Sequence, residues 1–176
     1  MSRHIEIIFA GVGGQGLVTA GGLMGEAAAL EGLNASLSST YGTEARGTFT
    51  KSDVIISDGE IDFIEAVEPD LIVCLAQAAY DRYAPVRDEK ALLIYDSDVV
   101  APSPRKSGRE VGLSLSARGS ANMAALGAAA ALTGAVTEES VLEAMKNREV
   151  SSQSLRKGSE EAFRKGFAEG ATLPSR

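Results

Sequence analysis

Gly11-Val12-Gly13-Gly14-Gln15-Gly16 stands between an apolar run and a helical pattern and matches G-x-G-x-x-G. At such a turn Gly11, Gly13, Gly14 and Gly16 let backbone approach a ligand closely, and with Gln15 they are the candidate cofactor-binding residues. Unpaired N–H groups and the helix dipole would favour an anion there, a phosphate for example. The dinucleotide form of the motif also needs an acidic residue ~20 positions on to hold the ribose. Asn34 to Thr40 contains no Asp or Glu, which argues against NAD. The competing reading is packing, in which the glycines let the first helix close on the sheet and the turn meet another protein segment.

A second group is Tyr41-Gly42-Thr43-Glu44-Ala45-Arg46-Gly47, in which an aromatic, a carboxylate and a guanidinium share a short loop. Arg46 can grip a carboxylate or phosphate with two hydrogen bonds, and Tyr41 can stack or donate one. Gly42 and Gly47 free the backbone on either side of Glu44. The bland alternative pairs Glu44 with Arg46 or with nearby backbone. Other reactive residues point away from catalysis by this chain. Cys74 is the single cysteine, so there is no internal disulfide and no set of about four thiolates for an iron–sulfur cluster. It lies mid-strand among apolar residues and reads as a small core hydrophobe. His4 is the single histidine, too little for a His-based zinc site or a Ser-His-Asp triad. Arg105, Lys106 and Arg109 could touch a nucleotide phosphate such as that of coenzyme A, but a loop often carries such charges for solubility.

These groups need a scaffold, and the chain's patterning describes one. Ile5–Ala10, Asn34–Ser38, Leu71–Leu75, Ala91–Tyr95 and Val111–Leu115 read as strands, several of them continuous apolar runs that suit a parallel sheet covered on both faces. Helical spacing appears over Gln15–Leu30, Ala76–Tyr83 and the alanine-rich Asn122–Thr133. Thr137 is a good N-cap for a helix running to about Asn147, with Glu138 and Glu139 in its first turn. Val54–Ser57, Asp58-Gly59 and Ile61–Ile64 read as a hairpin. Ala101–Arg109 reads as an exposed loop, and 151–169 as a surface helix or docking arm with a thin stripe of Leu155, Ala162 and Phe163. The fold expected is a single-domain α/β three-layer sandwich over 1–176, with a mainly parallel, Rossmann-like sheet and an antiparallel hairpin edge. The loop at Tyr41–Gly47 then falls at the carboxyl end of the second strand, where open α/β sheets form sites.

Composition narrows the partners. With 176 residues, 44% hydrophobic content and 23% charge the chain can bury a real core. A net charge of -7 argues against nucleic acid, which needs concentrated positive charge. No apolar run approaches the ~20 residues that span a bilayer, and the first residues lack a signal-peptide core, so a cytoplasmic protein is expected.

The motifs Gly11-Val12-Gly13-Gly14-Gln15-Gly16-Leu17, Ala20, Tyr41-Gly42 with Glu44 and Arg46-Gly47, and Val54-Ile55-Ile56-Ser57-Asp58 resemble the gamma subunits of 2-oxoacid:ferredoxin oxidoreductases in order and spacing. The similarity continues through Asn122-Met123, Leu126-Gly127 and Ala162-Phe163 to Gly166. Thr43 stands where the family usually has proline, and Thr48 where it usually has glycine. The resemblance implies an enzyme that oxidatively decarboxylates a 2-oxoacid to an acyl-CoA with thiamine diphosphate, magnesium, iron–sulfur clusters, coenzyme A and ferredoxin. Thr50–Asp58 is most similar to the 2-oxoglutarate branch, with pyruvate and branched-chain oxoacids as alternatives. No Gly-Asp-Gly thiamine–magnesium motif occurs here, so the resemblance places those centres on alpha, beta and ferredoxin-like delta partners. It implies no catalytic residue and no firmly bound cofactor or metal in this chain, and it leaves a homodimer open for the isolated subunit. A free-standing nucleotide-binding module and a purely structural spacer stay open beside it.

Overall fold

In the computed structural model, which describes residues 3–41, 48–104, 108–148 and 153–174, the apolar run at the N-terminus forms β1 (His4–Val12). The elements that follow are α1 (Leu17–Leu30), β2 (Asn34–Tyr41), β3 (Phe49–Ser57), β4 (Leu71–Cys74), α2 (Gln77–Tyr83), β5 (Leu92–Asp96) and β6 (Glu110–Leu113). After a short 3₁₀ turn at Ser116–Arg118 come α3 (Ala121–Thr133), α4 (Glu138–Asn147) and α5 (Gln153–Ala171). The sheet order is β2-β3-β1-β4-β5-β6. β1, β4, β5 and β6 are parallel, and β3 runs antiparallel to both β1 and β2.

Alternation along β1 sorts the layers. Ile7 and Phe9 face α1, α3, α4 and α5, whereas Ile8 and Ala10 face α2. Both sets are buried, which is why β1 reads as continuously apolar rather than alternating. The expected mainly parallel α/β sandwich is therefore the one formed, with helices stacked deeply on one face and a single short helix on the other. A buried ion pair helps fasten that short helix's layer. Arg87 Nη2 lies 3.3 Å from the Glu110 carboxylate at the start of β6, and the Tyr80 hydroxyl of α2 donates to the same carboxylate at 3.2 Å.

The antiparallel edge is built from different strands than the pattern suggests. Val54–Ser57 is the end of the longer β3, and Ile61–Ile64 is not a strand. The reason is occupancy: β1 and β2 fill both edges of β3, with Ser57 opposite His4 on one side and Asn34 on the other. Asp58 then bonds to Arg3 instead of opening a tight turn, its N–H donating to the Arg3 carbonyl and its carboxylate accepting from the Arg3 N–H. In α5 the buried stripe starts later than the pattern suggests. Leu155 is exposed, and burial runs through Ala162, Phe163, Gly166 and Gly170 onto α3. Gly127 of α3 faces the Phe163 carbonyl, and Gly166 faces backbone at Ala124, each so closely that a Cβ would collide.

Thr137 caps α4 as its type predicts, its hydroxyl accepting from the Ser140 N–H at 3.3 Å. A second cap arrives from the end of α1. The Glu31 carboxylate accepts from the Thr137 N–H at 2.7 Å, the Thr137 hydroxyl at 2.9 Å and the Ser140 hydroxyl at 2.6 Å. Partial burial pushes the Glu31 carboxyl up, but the bonds from Ser140 and Thr137 outweigh it and hold it below its usual value. The carboxylate therefore binds its proton more weakly folded than unfolded. Its contribution is present at neutral pH and is lost as pH falls through the acid range. Thr137→Ala should destabilise the protein by about 1–2 kcal/mol, read as a lower urea midpoint with an unchanged slope.

Candidate functional site at the carboxyl edge of the sheet

The glycine turn sits at the carboxyl end of β1, and the structure shows how it is held. Gly14 and Gly16 take left-handed φ values of 97° and 72°, which a side chain would strain. Gln15 folds back inside the turn. Its side-chain oxygen accepts from the Val12 N–H at 2.8 Å, and its amide nitrogen donates to the Leu75 carbonyl at 2.7 Å. The Gly13 N–H donates to the Thr48 carbonyl at 3.0 Å, and the Gln15 N–H to the Val12 carbonyl at 3.2 Å. Three of the turn's backbone amides, those of Val12, Gly13 and Gln15, are thus already bonded to protein.

The placement of Gln15 matters because of topology. The chain leaves β1 for α1 on one face and leaves β4 for α2 on the other, so the β1–β4 boundary is the switch point where α/β sheets open a crevice. Gln15 bridges that boundary from the β1 turn to Leu75. The other half of a dinucleotide site has no counterpart, since antiparallel β3 separates β2 from β1. A ribose-holding carboxylate at the end of β2 would stand one strand away from the turn.

Neighbouring residues complete the edge. Asn122, in the first turn of α3, donates from its side chain to the Gly16 carbonyl at 3.1 Å and accepts from the Ser120 hydroxyl at 2.7 Å. A Cβ at Gly16 would strike that Asn122 amide. Asp96, fully buried at the end of β5, accepts from the N–H groups of Leu115 and Ser116 at 3.2 and 3.3 Å and from the Ser116 hydroxyl. Asp98 accepts from the Ala117 N–H at 2.8 Å, which with the Ser114 hydroxyl holds its carboxyl below the usual range. These carboxylates fix the connection from β6 to α3. Beside the turn, Phe49 pairs with Val12 and carries the Arg82 guanidinium 4.4 Å above its ring. Tyr83 packs near Phe49, and burial, reinforced by the Asp53 carboxylate, pushes its hydroxyl up to about 12. Such an edge can position groups and offer backbone and amide contacts. Among the described residues no cluster of three or more His, Cys, Asp and Glu side chains could hold a metal ion, and no helix is long and apolar enough to cross a membrane.

Of the residues singled out in the sequence, Gly11, Gly13, Gly14, Gln15 and Gly16 are brought together at this edge, and the backbone of Tyr41 ends β2 on the same side. Gly42, Glu44, Arg46 and Gly47 lie outside the described residues, as do Arg105 and Lys106. Arg109 is far from the turn, at the start of β6, where it donates to the Pro174 carbonyl at 3.2 Å. Gln15 is a candidate cofactor-binding residue by its place in the glycine motif, but its bridge to Leu75 has no local signal. Cys74 is fully buried, and that burial raises its thiol to about 12. Native protein at pH 8 should therefore show no thiol to an aromatic disulfide reagent over minutes, and one thiol after unfolding in guanidinium.

A family model described as pyruvate ferredoxin/flavodoxin oxidoreductase matches residues 6–169. The chain is 38% identical to the 2-oxoglutarate synthase subunit KorC of Methanocaldococcus jannaschii, over 92% of this chain and 91% of that one. It is 39% identical to the KorC subunit of Archaeoglobus fulgidus, over 97% and 90%. Among solved structures it is similar to the gamma subunit of a keto/oxoacid ferredoxin oxidoreductase from Geobacter sulfurreducens, with a TM-score of 0.81, 35% identity and coverage of 96% and 97%. A likeness of fold alone, at 22% identity and a TM-score of 0.84, links it to the 2-oxoglutarate:ferredoxin oxidoreductase of Magnetococcus marinus, where it matches 32% of a longer chain.

Proposed function

Because the chain belongs to the pyruvate ferredoxin/flavodoxin oxidoreductase family, as a gamma subunit of a 2-oxoacid:ferredoxin oxidoreductase, we propose that it completes a complex that converts 2-oxoglutarate to its acyl-CoA. The 2-oxoacid loses its carboxylate as carbon dioxide, its acyl group passes to the coenzyme A sulfur, and two electrons pass to ferredoxin. Thiamine diphosphate with magnesium and the iron–sulfur clusters reside on alpha, beta and ferredoxin-like delta partners and supply the decarboxylation and electron transfer. The observation that carries the reading is the near end-to-end match to 2-oxoglutarate synthase subunits, at 38 and 39% identity.

This chain's own part is structural and site-completing. The glycine turn, held by its own hydrogen bonds, presents mainly backbone at the carboxyl edge, and the chain leaves β2 at Tyr41 on the same edge. Tyr41, Gly42, Glu44, Arg46 and Gly47 help hold coenzyme A or order the thiamine pocket. The internally bonded turn and the β3 strand between β1 and β2 favour this role over a free-standing nucleotide-binding module.

Arg46→Ala in the reconstituted complex separates site completion from simple spacing. Loss of a charge-assisted bond of ~1.5–3 kcal/mol should lower turnover or raise the coenzyme A requirement, by more than tenfold at the upper end. Normal turnover and normal coenzyme A dependence in fully assembled complex would reduce the loop to packing. Preference for pyruvate or a branched-chain oxoacid over 2-oxoglutarate would overturn the substrate assignment.

A further inference from the structure

We propose that the segment between β3 and β4, together with the outer edge of β2, is a docking surface for an extended, basic segment of a partner subunit. This rests on the gamma-subunit reading and adds where the partner sits and what chemistry it brings.

Residues 58–70 have no regular structure, yet their backbone is tied down at both ends, at 58–59 and at 66–70. The Glu6 carboxylate accepts from the N–H groups of Val67 and Glu68 at 2.7 and 2.8 Å, and the buried Asp53 carboxylate accepts from Ala66 at 3.4 Å. The Asn34 side chain donates to the Gly59 carbonyl at 2.9 Å, and the Asp70 N–H to the Glu6 carbonyl at 2.8 Å. A segment held this way nevertheless turns Phe63, Ile64 and Val67 to solvent, at 73, 63 and 71% exposure. Anchoring both ends of the loop that carries these apolar side chains lowers the ordering cost of association.

The neighbouring strand points the same way. β2 is an edge strand of the sheet, and between Gly32 and Thr43 the sequence has no charged residue and no proline. Charges and prolines are the usual protection of an exposed edge against pairing with another chain. Asn34, Ala35 and Ser36 of β2 line an open groove of about 480 Å³ together with Glu60, Ile61, Asp62 and Ile64. An added strand on β2 would lay its side chains against Ile64 and its neighbours.

Charge selects the occupant. From Ser52 to Asp81 there are eight Asp and Glu residues and no Lys or Arg, and Glu60, Asp62, Glu65 and Glu68 flank the exposed apolar residues. Two copies of this face would repel one another, whereas a basic segment would be steered onto it. The occupant is therefore a Lys- or Arg-bearing segment of another subunit rather than a second copy of this chain.

The test uses the full chain with the purified thiamine-binding subunits of its complex. Phe63→Ser/Ile64→Ser should keep the wild-type melting temperature and weaken association at least about 30-fold, as loss of a central contact does. Glu60→Lys/Asp62→Lys/Glu65→Lys should also weaken association and abolish its salt sensitivity, and the outward amides of β2 should exchange more slowly in the wild-type complex. Unchanged affinity in both variants would overturn the proposal, as would a wild-type homodimer that the double variant converts to monomer. Wild-type protein that does not associate with those subunits contradicts the gamma-subunit reading itself, and the partner proposed here falls with it.

Discussion

Gly127→Val is expected to lower stability by about 3 kcal/mol or more, at the upper end of overpacking effects because the obstacle is helix backbone rather than a movable side chain. α3 and α5 meet through small residues, with Gly127 against Phe163 and Phe167, Gly166 against Ala124, and Gly170 against Ala128. A Cβ at Gly127 would overlap the Phe163 carbonyl, so α5 must be pushed away, and Phe163 leaves the core with it. For a chain of this size that is a fall in Tm of roughly 6–12 °C. Gly158→Ala in the same helix is the control. A Cβ there meets open space, so the substitution should be neutral or stabilise by up to ~1 kcal/mol through helix propensity alone. A Gly127→Val variant that melts with wild type would show that the two helices are not in the contact described.

How far the sequence could be read depended on whether the signal was local. The apolar runs at β1, β4 and β5 and the cap at Thr137 are local, and each lies within a residue or two of its expected place. The alanine-rich stretch of α3 correctly implied a close neighbour, but nothing local says that the neighbour is α5, since Gly127 and Gly166 are paired only by the fold. The hairpin failed for the same reason. Asp58-Gly59 is a good turn dipeptide, yet β3 had already filled both its edges with β1 and β2, which is a property of the whole sheet.

The site divides along that line too. G-x-G-x-x-G placed the turn between strand and helix, and the missing acid in β2 argued against a dinucleotide. Only the fold supplies the stronger argument, the intrusion of β3 between β1 and β2. Gln15 and Asn122 both fall in motifs of the sequence, but what they do at the edge is not local, because Leu75 and Gly16 lie 60 and 106 positions away in sequence yet within hydrogen-bond reach. Glu6 and Asp53 likewise read as strand residues, and their hold on the segment after β3 is visible only once β1 and β3 are paired.

The larger functional effect concerns turnover. Leaving this chain out of the assembly should lower 2-oxoglutarate-dependent ferredoxin reduction by at least ~100-fold, the scale on which misplaced catalytic groups lose rate. The chain has one cysteine, fully buried, and no Gly-Asp-Gly motif, so it carries neither the cysteine set of an iron–sulfur cluster nor that thiamine motif. On the function proposed above its contribution is placement, through the glycine turn and residues 41–47. The direct test is a titration of this subunit into the remaining subunits with 2-oxoglutarate, coenzyme A, thiamine diphosphate, magnesium and oxidised ferredoxin. Rate should rise from near zero and saturate at a fixed ratio of subunits, while this chain alone gives none. Full-rate turnover before the chain is added, or turnover by the chain alone, would contradict the account.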